Sequence, residues 1–315
     1  MSDKRIILAG GSGFLGKLLS KYLTERGCEV FVLTRQPDQR NASATEIHWD
    51  GRTSGPWAEH LNGALAVINL AGRSVNCRYN EENRREILDS RVLSTRVLGE
   101  AISRCAKPPG VWLNSSTATI YRHSLDHAMD EQGEIGATPE AKDAFSVHVA
   151  QEWERTFETA STPVTRKVAL RTAMVLGTPA GGVLDVLHRL VLVGLGGHMG
   201  TGKQYVSWIH EEDFCRAIDW LISKQEFRGP VNLSAPNPVP NRELMATLRS
   251  VSGKVFGLPA TRWMLEMGAF FLRTETELII KSRRVVPGRL LESGFDFRFL
   301  RLEDALADLL PRMEE

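Results

Sequence analysis

Little in this chain points to a charged partner, a membrane or a metal. Its 39 Lys and Arg nearly balance its 38 Asp and Glu, leaving a formal net charge of +1 in 315 residues. No Lys/Arg block stands out, so nothing electrostatic recruits nucleic acid or an anionic membrane. The first apolar run, in "MSDKRIILAGGSG", is broken by glycine and is too short for a signal peptide. The most apolar later stretch, "VLDVLHRLVLVGLGG", carries Asp185, His188 and Arg189, which argues against a membrane span. Cysteine is sparse and scattered, at Cys28, Cys77, Cys105 and Cys215, with no CxxC pair. That spacing fits reduced thiols better than a zinc site or a disulfide frame, so no metal is expected. Internal repeats and low-complexity tracts are lacking as well. These absences leave a cytoplasmic globular protein as the expectation.

What is present is alternation. "RIILAG" (Arg5–Gly10), "EVFVLTR" (Glu29–Arg35), "AVINLAG" (Ala66–Gly72), "VWLNSST" (Val111–Thr117) and "TRKVALRTAMVLG" (Thr165–Gly177) read as strands. Between them lie helical patterns. One follows the first strand and closes at Gly27. Another spans Glu81–Cys105, with an inward stripe of Leu88, Val92, Leu98, Ile102 and Cys105. A third spans Asp143–Ala160, entered through Thr138-Pro139. Strands alternating with helices predict an α/β fold, a doubly wound parallel sheet. The glycine-rich stretches "GTPAGG" and "GLGGHMGTGK" mark where that alternation ends. A smaller mixed C-terminal part is expected from there.

The strongest motif is "GGSGFLG". Gly10, Gly13 and Gly16 are spaced GxxGxxG directly after a strand and at the start of a helix. Glycines there permit a tight turn and close backbone approach, and the helix N-terminus favours a pyrophosphate. A glycine triplet alone is weak evidence, and a purely structural turn is the alternative. Context is what turns it into a dinucleotide site. About 20 residues on, where a carboxylate would bond an adenosine ribose, the chain reads "LTRQ", with Thr34 and Arg35. Arginine suits a 2′-phosphate through charge-assisted contacts, which favours NADP over NAD.

"GGSGFLG", "VINLAG", "SSTATIY", "LRTAMVLG" and "WIHEEDFCRAI" occur in an order that resembles the extended short-chain dehydrogenases/reductases. The chain looks closest to the epimerase-family subgroup described as nucleoside-diphosphate-sugar epimerases or NADP-dependent oxidoreductases. The C-terminal "GPVNLSAPNPVPNRELMATL" and "VPGRLLESGFDFRFLRLEDALADLL" carry the likeness to the subgroup, over nearly the whole chain. The resemblance implies a Rossmann-like domain over residues 1–177, with a returning strand and helix from about 205–235. It also implies a predominantly substrate-binding region over 178–315. It places the cofactor against Gly10, Gly13, Phe14, Leu15, Gly16, Thr34, Arg35, Leu70, Ala71 and Gly72. A homodimer through the helices Glu81–Cys105 and Asp143–Ala160 is a further expectation.

The resemblance also says where catalysis should sit, and there the chain departs from it. A Ser/Thr at the fifth strand's end should position substrate, and Thr117 holds that place. A tyrosine with a lysine four residues later should then move the proton, because a phenol with a reference pKa near ~10 needs a neighbouring cation to ionise near neutrality. The chain reads "FSVHV" at that point, with Phe145 and Val149, and neither can carry or tune a proton. Tyr121 is the nearest conspicuous phenol and becomes a catalytic candidate beside Thr117, against a packed structural tyrosine. His148 shares a helical side with Phe145, against a merely exposed histidine. Asn76 and Arg78, in the loop after the fourth strand, could orient substrate or simply face solvent.

Where nucleotide-sugar members carry a diphosphate-gripping arginine, Val206 stands, with Lys203 nearby. This weakens the nucleotide-sugar reading. His210 reads as a strand end and Asp213 as a helix cap, while Trp208 and Trp263 read as core or pocket wall. The expected function is a divergent NADP-binding oxidoreductase or epimerase-like enzyme with a small-molecule substrate. The alternative is a noncatalytic NADP-binding scaffold.

Overall fold

The computed structural model describes residues 4–38, 43–179, 182–261, 264 and 277–313. Trp263 and the "AFFLR" aromatics fall outside the described residues.

Seven parallel strands form the central sheet: β1 (Arg5–Ala9), β2 (Glu29–Thr34), β3 (Thr45–His48), β4 (Ala66–Asn69), β5 (Val111–Thr117), β6 (Arg166–Thr172) and, after β7 (Met174–Leu176), β8 (Tyr205–Val206) and β9 (Trp208–His210), the last member β10 (Gly229–Leu233). Their spatial order is β10-β6-β5-β4-β1-β2-β3. β1 shows why the strands read as continuous apolar runs. Ile6 and Leu8 pack into the layer that holds helices α1 (Phe14–Glu25) and α5 (Glu211–Ser223), through Leu19, Leu23, Phe214 and Ile218. Ile7 and Ala9 face the opposite layer, against Val97, Leu98 and Ile102 of α2 (Glu81–Ser103) and Phe157 of α3 (Ala144–Thr159). With both faces buried, alternation of polar and apolar residues has no reason to exist.

The fold class matches the sequence expectation, with local corrections. β3 carried no sequence signal; two of its four residues are exposed. β4 stops at Asn69, because Asn69 turns its side chain to hold the chain that leaves the sheet. The run Thr165–Gly177 is two strands. β6 belongs to the main sheet, whereas β7 pairs in parallel with β9 in a separate two-stranded sheet. The inward stripe of α2 holds at Leu98 and Ile102 but differs before them. Ile87, Ser94, Thr95, Leu98 and Ile102 are buried, while Leu88 and Val92 are half-buried. Asp213 does not cap α5. His210 does, through Nδ1 accepting from the Glu212 N–H at 3.0 Å. The Asp213 carboxylate instead accepts from the backbone N–H groups of Arg298 and Phe299, both at 2.9 Å, tying down the C-terminal segment.

A second apolar cluster joins α4 (Val183–Leu192), α6 (Asn241–Val251) and the helix Leu302–Leu309 around Trp208, Val206 and Val239, the last from β11 (Val239–Pro240). Val206 and Trp208 are therefore core. Among the described residues no helix is long and apolar enough to cross a membrane.

Candidate functional site

The carboxyl ends of β1, β4, β5 and β6 open onto a cleft of about 620 Å³. In an open parallel sheet that edge, where the strand order reverses, is where ligands bind. At one end of the cleft is the glycine turn. Gly10 has φ +74°, and a Cβ there would come within 2.6 Å of Ala71 Cα, so the two loops touch backbone to backbone. A Cβ on Gly16 would lie 2.2 Å from Gly11 O, so glycine lets α1 start tightly against the turn. Gly13 differs: it has nothing within 4 Å of its would-be Cβ and borders the cleft. It is also the N-cap of α1, with no side-chain cap and no acidic residue in the first turn. The first N–H groups of that helix have no intrahelical acceptor, and the helix dipole adds partial positive charge. Such a concave, uncapped, carboxylate-free helix start fits a pyrophosphate.

Gly10, Gly13, Phe14, Leu15, Gly16, Leu70 and Gly72 all line this cleft. Ala71 is positioned by Asn69, whose Oδ1 accepts its N–H at 3.1 Å. Asn69 is itself locked by donating to Asn114 Oδ1 at 2.7 Å and to Thr95 Oγ1 at 3.2 Å. Thr34 ends β2 and Arg35 follows it, beside the turn but not in the cleft wall. Thr34 is buried and Arg35 exposed.

The other end of the cleft is formed by β5 and α3. Ser115, Ser116, Thr117 and Thr119 line it from the strand side. Thr117 Oγ1 accepts from the Thr119 N–H at 3.1 Å, so its own O–H has no acceptor among the described residues. Ser116 is committed elsewhere, donating to Glu154 Oε1 at 2.5 Å. From α3 come Phe145, Ser146, Val149 and Trp153. Phe145 meets Tyr79 edge-on at 5.0 Å between centroids, and the Arg84 guanidinium covers its ring at 4.9 Å. Val149 is buried. The altered "FSVHV" segment therefore faces the cleft, and its two apolar residues are wall. The start of α3 is pinned by Asp143, which accepts from the Thr138 N–H at 2.8 Å and pairs with Lys281 Nζ at 2.5 Å, both side chains buried.

Tyr121, the catalytic candidate beside Thr117, is placed away from the cleft wall. It is 1% exposed. Its hydroxyl donates to Asn232 Oδ1 at 2.8 Å and accepts from Arg171 Nη1 at 2.9 Å. Burial pushes its phenol above the ordinary range, and Arg171 opposes this only in part. A buried, doubly bonded, neutral phenol ties β6 to β10 and does not line the cleft. His148 is exposed and also absent from the cleft wall. Asn76, Arg78 and Lys203 do not line it either. The same loop instead contributes Arg73, Ser74, Val75 and Tyr79, and α2 contributes Ile87 and Arg91. Sequence reading missed Arg91. It lies four residues from Ile87 and three from Ser94, on the buried side of α2, and a stripe sought only among apolar residues passes over it.

Comparison with known proteins agrees with this geometry. The model of the NAD-dependent epimerase/dehydratase family matches residues 6–233, and a domain of unknown function (DUF1731) matches 260–309. The chain is 32% identical over 310 residues to the epimerase family protein YfhF of Bacillus subtilis, covering 97% of each. A crystal structure of the human epimerase family protein SDR39U1 with NADPH superposes with a TM-score of 0.84 at 28% identity, covering 98% of this chain and 99% of that one. A nucleoside-diphosphate sugar epimerase from Corynebacterium glutamicum superposes with a TM-score of 0.77 at 26% identity, covering 98% of this chain and 58% of that one.

Proposed function

This chain belongs to the NAD-dependent epimerase/dehydratase family, and from that premise we propose that it binds NADP(H) in the cleft and carries out hydride chemistry on a small molecule held beside Thr117. The observation that carries this reading is the cleft itself. It runs unbroken from the uncapped start of α1 to the carboxyl end of β5. The human relative was crystallised with NADPH, which supports the same cofactor here. Residues 1–177, with the return through β9, α5 and β10, would hold the cofactor, and 178–315 would mainly shape the substrate side.

The cofactor would be held by the turn Gly10–Gly16 at its pyrophosphate, by Leu70–Gly72 along its length and by Thr34 and Arg35 at its 2′-phosphate. Bound there, it supplies or accepts a hydride. Thr117, at the carboxyl end of β5, has a hydroxyl hydrogen with no acceptor among the described residues and would orient a substrate oxygen. Phe145 and Val149 supply no proton there, so proton transfer would fall to a bound water or another donor while Thr117 polarises the substrate. A noncatalytic NADP(H)-binding protein is the second reading, and the apolar packing of Phe145 against Tyr79 and Arg84 favours it.

Calorimetric titration of nucleotide-free protein with NADPH and then NADH tests the cofactor. Tight NADPH binding with much weaker NADH binding is expected. Binding of neither to folded protein would overturn the proposal. Arg35→Ala should reduce NADPH affinity about 10- to 100-fold, the loss of one or two charge-assisted contacts of about 1.5–3 kcal/mol in total. NADH affinity should stay within about threefold, since its ribose presents no phosphate to Arg35. Equal losses for both cofactors would remove Arg35 from the 2′-phosphate site.

A further inference from the structure

Two arginines are among the described residues that line the cleft, and they are in opposite electrostatic states. Arg73 is neutralised: it pairs with Glu86, and its Nη2 donates to Asn83 Oδ1 at 2.7 Å. Arg91 has no carboxylate partner among the described residues. Its recorded hydrogen bonds both leave from Nη1, to Arg73 O at 3.1 Å and Ile87 O at 2.9 Å. Nη2 and Nε make none to a described residue, so one edge of the fork is uncommitted.

The position of that fork is fixed from three sides. Nη1 is tied to the two carbonyls. Cζ lies 5.1 Å from the ring centroid of Trp153, which anchors its own indole by donating to Thr95 Oγ1 at 3.0 Å. On the third side, a Cβ on Gly72 would come within 3.2 Å of Cζ, so glycine leaves the space the guanidinium fills. Burial pulls Arg91 down to about 10, with the nearby Tyr79 phenol opposing, so the cation persists at neutral pH. A half-buried cation without a counter-ion is unfavourable, and natural structures pair such charges. The cleft wall supplies the apolar side chains Val75, Tyr79, Ile87, Phe145, Val149 and Trp153, alongside Arg73 and several serines and threonines.

We propose that Arg91 is the anion receptor of the substrate half of the cleft, and that the substrate is an organic acid with an apolar body, its carboxylate or phosphate held at the free edge of the guanidinium. This rests on the reading of the cleft as an NADP(H) site, and it adds the substrate's chemical class. The placement favours substrate over cofactor as the source of the anion. The pyrophosphate cradle is at α1, whereas Arg91 lies between Gly72, at the end of the segment read as holding the cofactor, and Trp153 of α3, on the same cleft wall as the residues that replace the proton relay. The same contact disfavours a neutral sugar, which would leave the cation uncompensated.

The test uses two probes of matched shape, benzoate and benzamide, titrated calorimetrically into the NADPH-loaded protein at fixed ionic strength. Benzoate should bind at least tenfold more tightly than benzamide. Arg91→Met, which keeps the aliphatic stem, should abolish that preference while leaving NADPH affinity within about threefold and the unfolding midpoint nearly unchanged. Arg91→Lys should retain part of the preference, since the charge remains without the fork. Equal binding of the two probes, or binding of neither, to loaded wild-type protein would overturn the proposal. So would an Arg91→Met variant that loses NADPH affinity tenfold while still preferring benzoate. Should the wild-type protein fail to take NADPH, the cofactor reading falls by itself, and the same two probes on the nucleotide-free protein still decide the role of Arg91.

Discussion

Glu154→Ala should destabilise the protein by about 3–5 kcal/mol, the loss associated with leaving one member of a buried ion pair alone. Glu154 and Arg171 have side chains only 8% and 5% exposed and form a two-point contact, Nε to Oε1 at 2.9 Å and Nη2 to Oε2 at 2.7 Å. Burial by itself would lower the Arg171 pKa, but the hydrogen bond and charge of Glu154 outweigh it and raise it. Around the pair the network extends in both directions. Ser116 donates to Glu154, Arg171 donates to Tyr121, and Tyr121 donates to Asn232. Asn232 in turn donates its backbone N–H to Glu131 Oε1 at 2.9 Å. These contacts join β5, β6, β10 and α3 directly beneath the cleft, so the variant should also lower cofactor affinity by loosening the Thr117 end. Urea unfolding measures the loss. Arg171→Met added to Glu154→Ala should recover part of it, because the stranded charge is then removed. A Glu154→Ala variant within about 1 kcal/mol of wild type would show that water or rearrangement reaches Arg171 and that the network does not brace the sheet edge.

Gly13→Asp should reduce NADPH affinity about 100-fold or more while leaving the fold intact. Gly13 has φ −80° and ψ −178°, an extended backbone that any residue adopts, and its would-be Cβ meets nothing within 4 Å. Aspartate is moreover a preferred N-cap, worth about a few tenths of a kcal/mol over glycine. Binding should respond in the opposite direction. The new carboxylate would sit where a pyrophosphate is expected, and two like charges about 4 Å apart repel by roughly 4 kcal/mol at an effective dielectric of about 20. Even half of that exceeds a tenfold loss, since each tenfold corresponds to about 1.4 kcal/mol. Gly13→Asn provides the control, because it caps as well and has nearly the same size without the charge. Equal NADPH binding by the Asp and Asn variants would place the phosphates elsewhere.

Both predictions concern residues that the sequence made legible to different degrees. Gly13 was found by spacing, because a tight turn between a strand and a helix leaves few residue types free to occupy it. Glu154 and Arg171 carried no local signal. A glutamate on a helix and an arginine in a strand are usually surface residues, and only the packing of α3 over β5 and β6 buries them together. Tyr121 misled for a related reason: its nearness in sequence to Thr117 does not set the direction of its side chain, which the 3₁₀ turn Ala118–Ile120 sends under the sheet edge instead of into the cleft. Arg91 was missed because a helical stripe contains whatever the tertiary contacts tolerate. On α2 they tolerate Arg91, Ser94 and Thr95 between Ile87 and Leu98.

The sequence alone determined the class of fold and the glycine turn at which the proposed cofactor site begins. Apolar runs alternating with amphipathic helices can bury themselves only as a sheet covered on both faces, and the glycine spacing fixes where the first turn meets the first helix. It also determined that Phe145 and Val149 supply no proton relay, since neither side chain has a titratable group. The tertiary structure decided which polar groups reach the cleft. Arg91, Thr117 and Tyr79 stand at its wall, while Tyr121, His148 and Lys203 do not, because side-chain direction is set by contacts between elements far apart in the chain. Long-range packing also decided which charges are neutralised. Arg171 finds Glu154 beneath the sheet edge, Arg73 finds Glu86, and Arg91 lines the cleft with no carboxylate partner among the described residues.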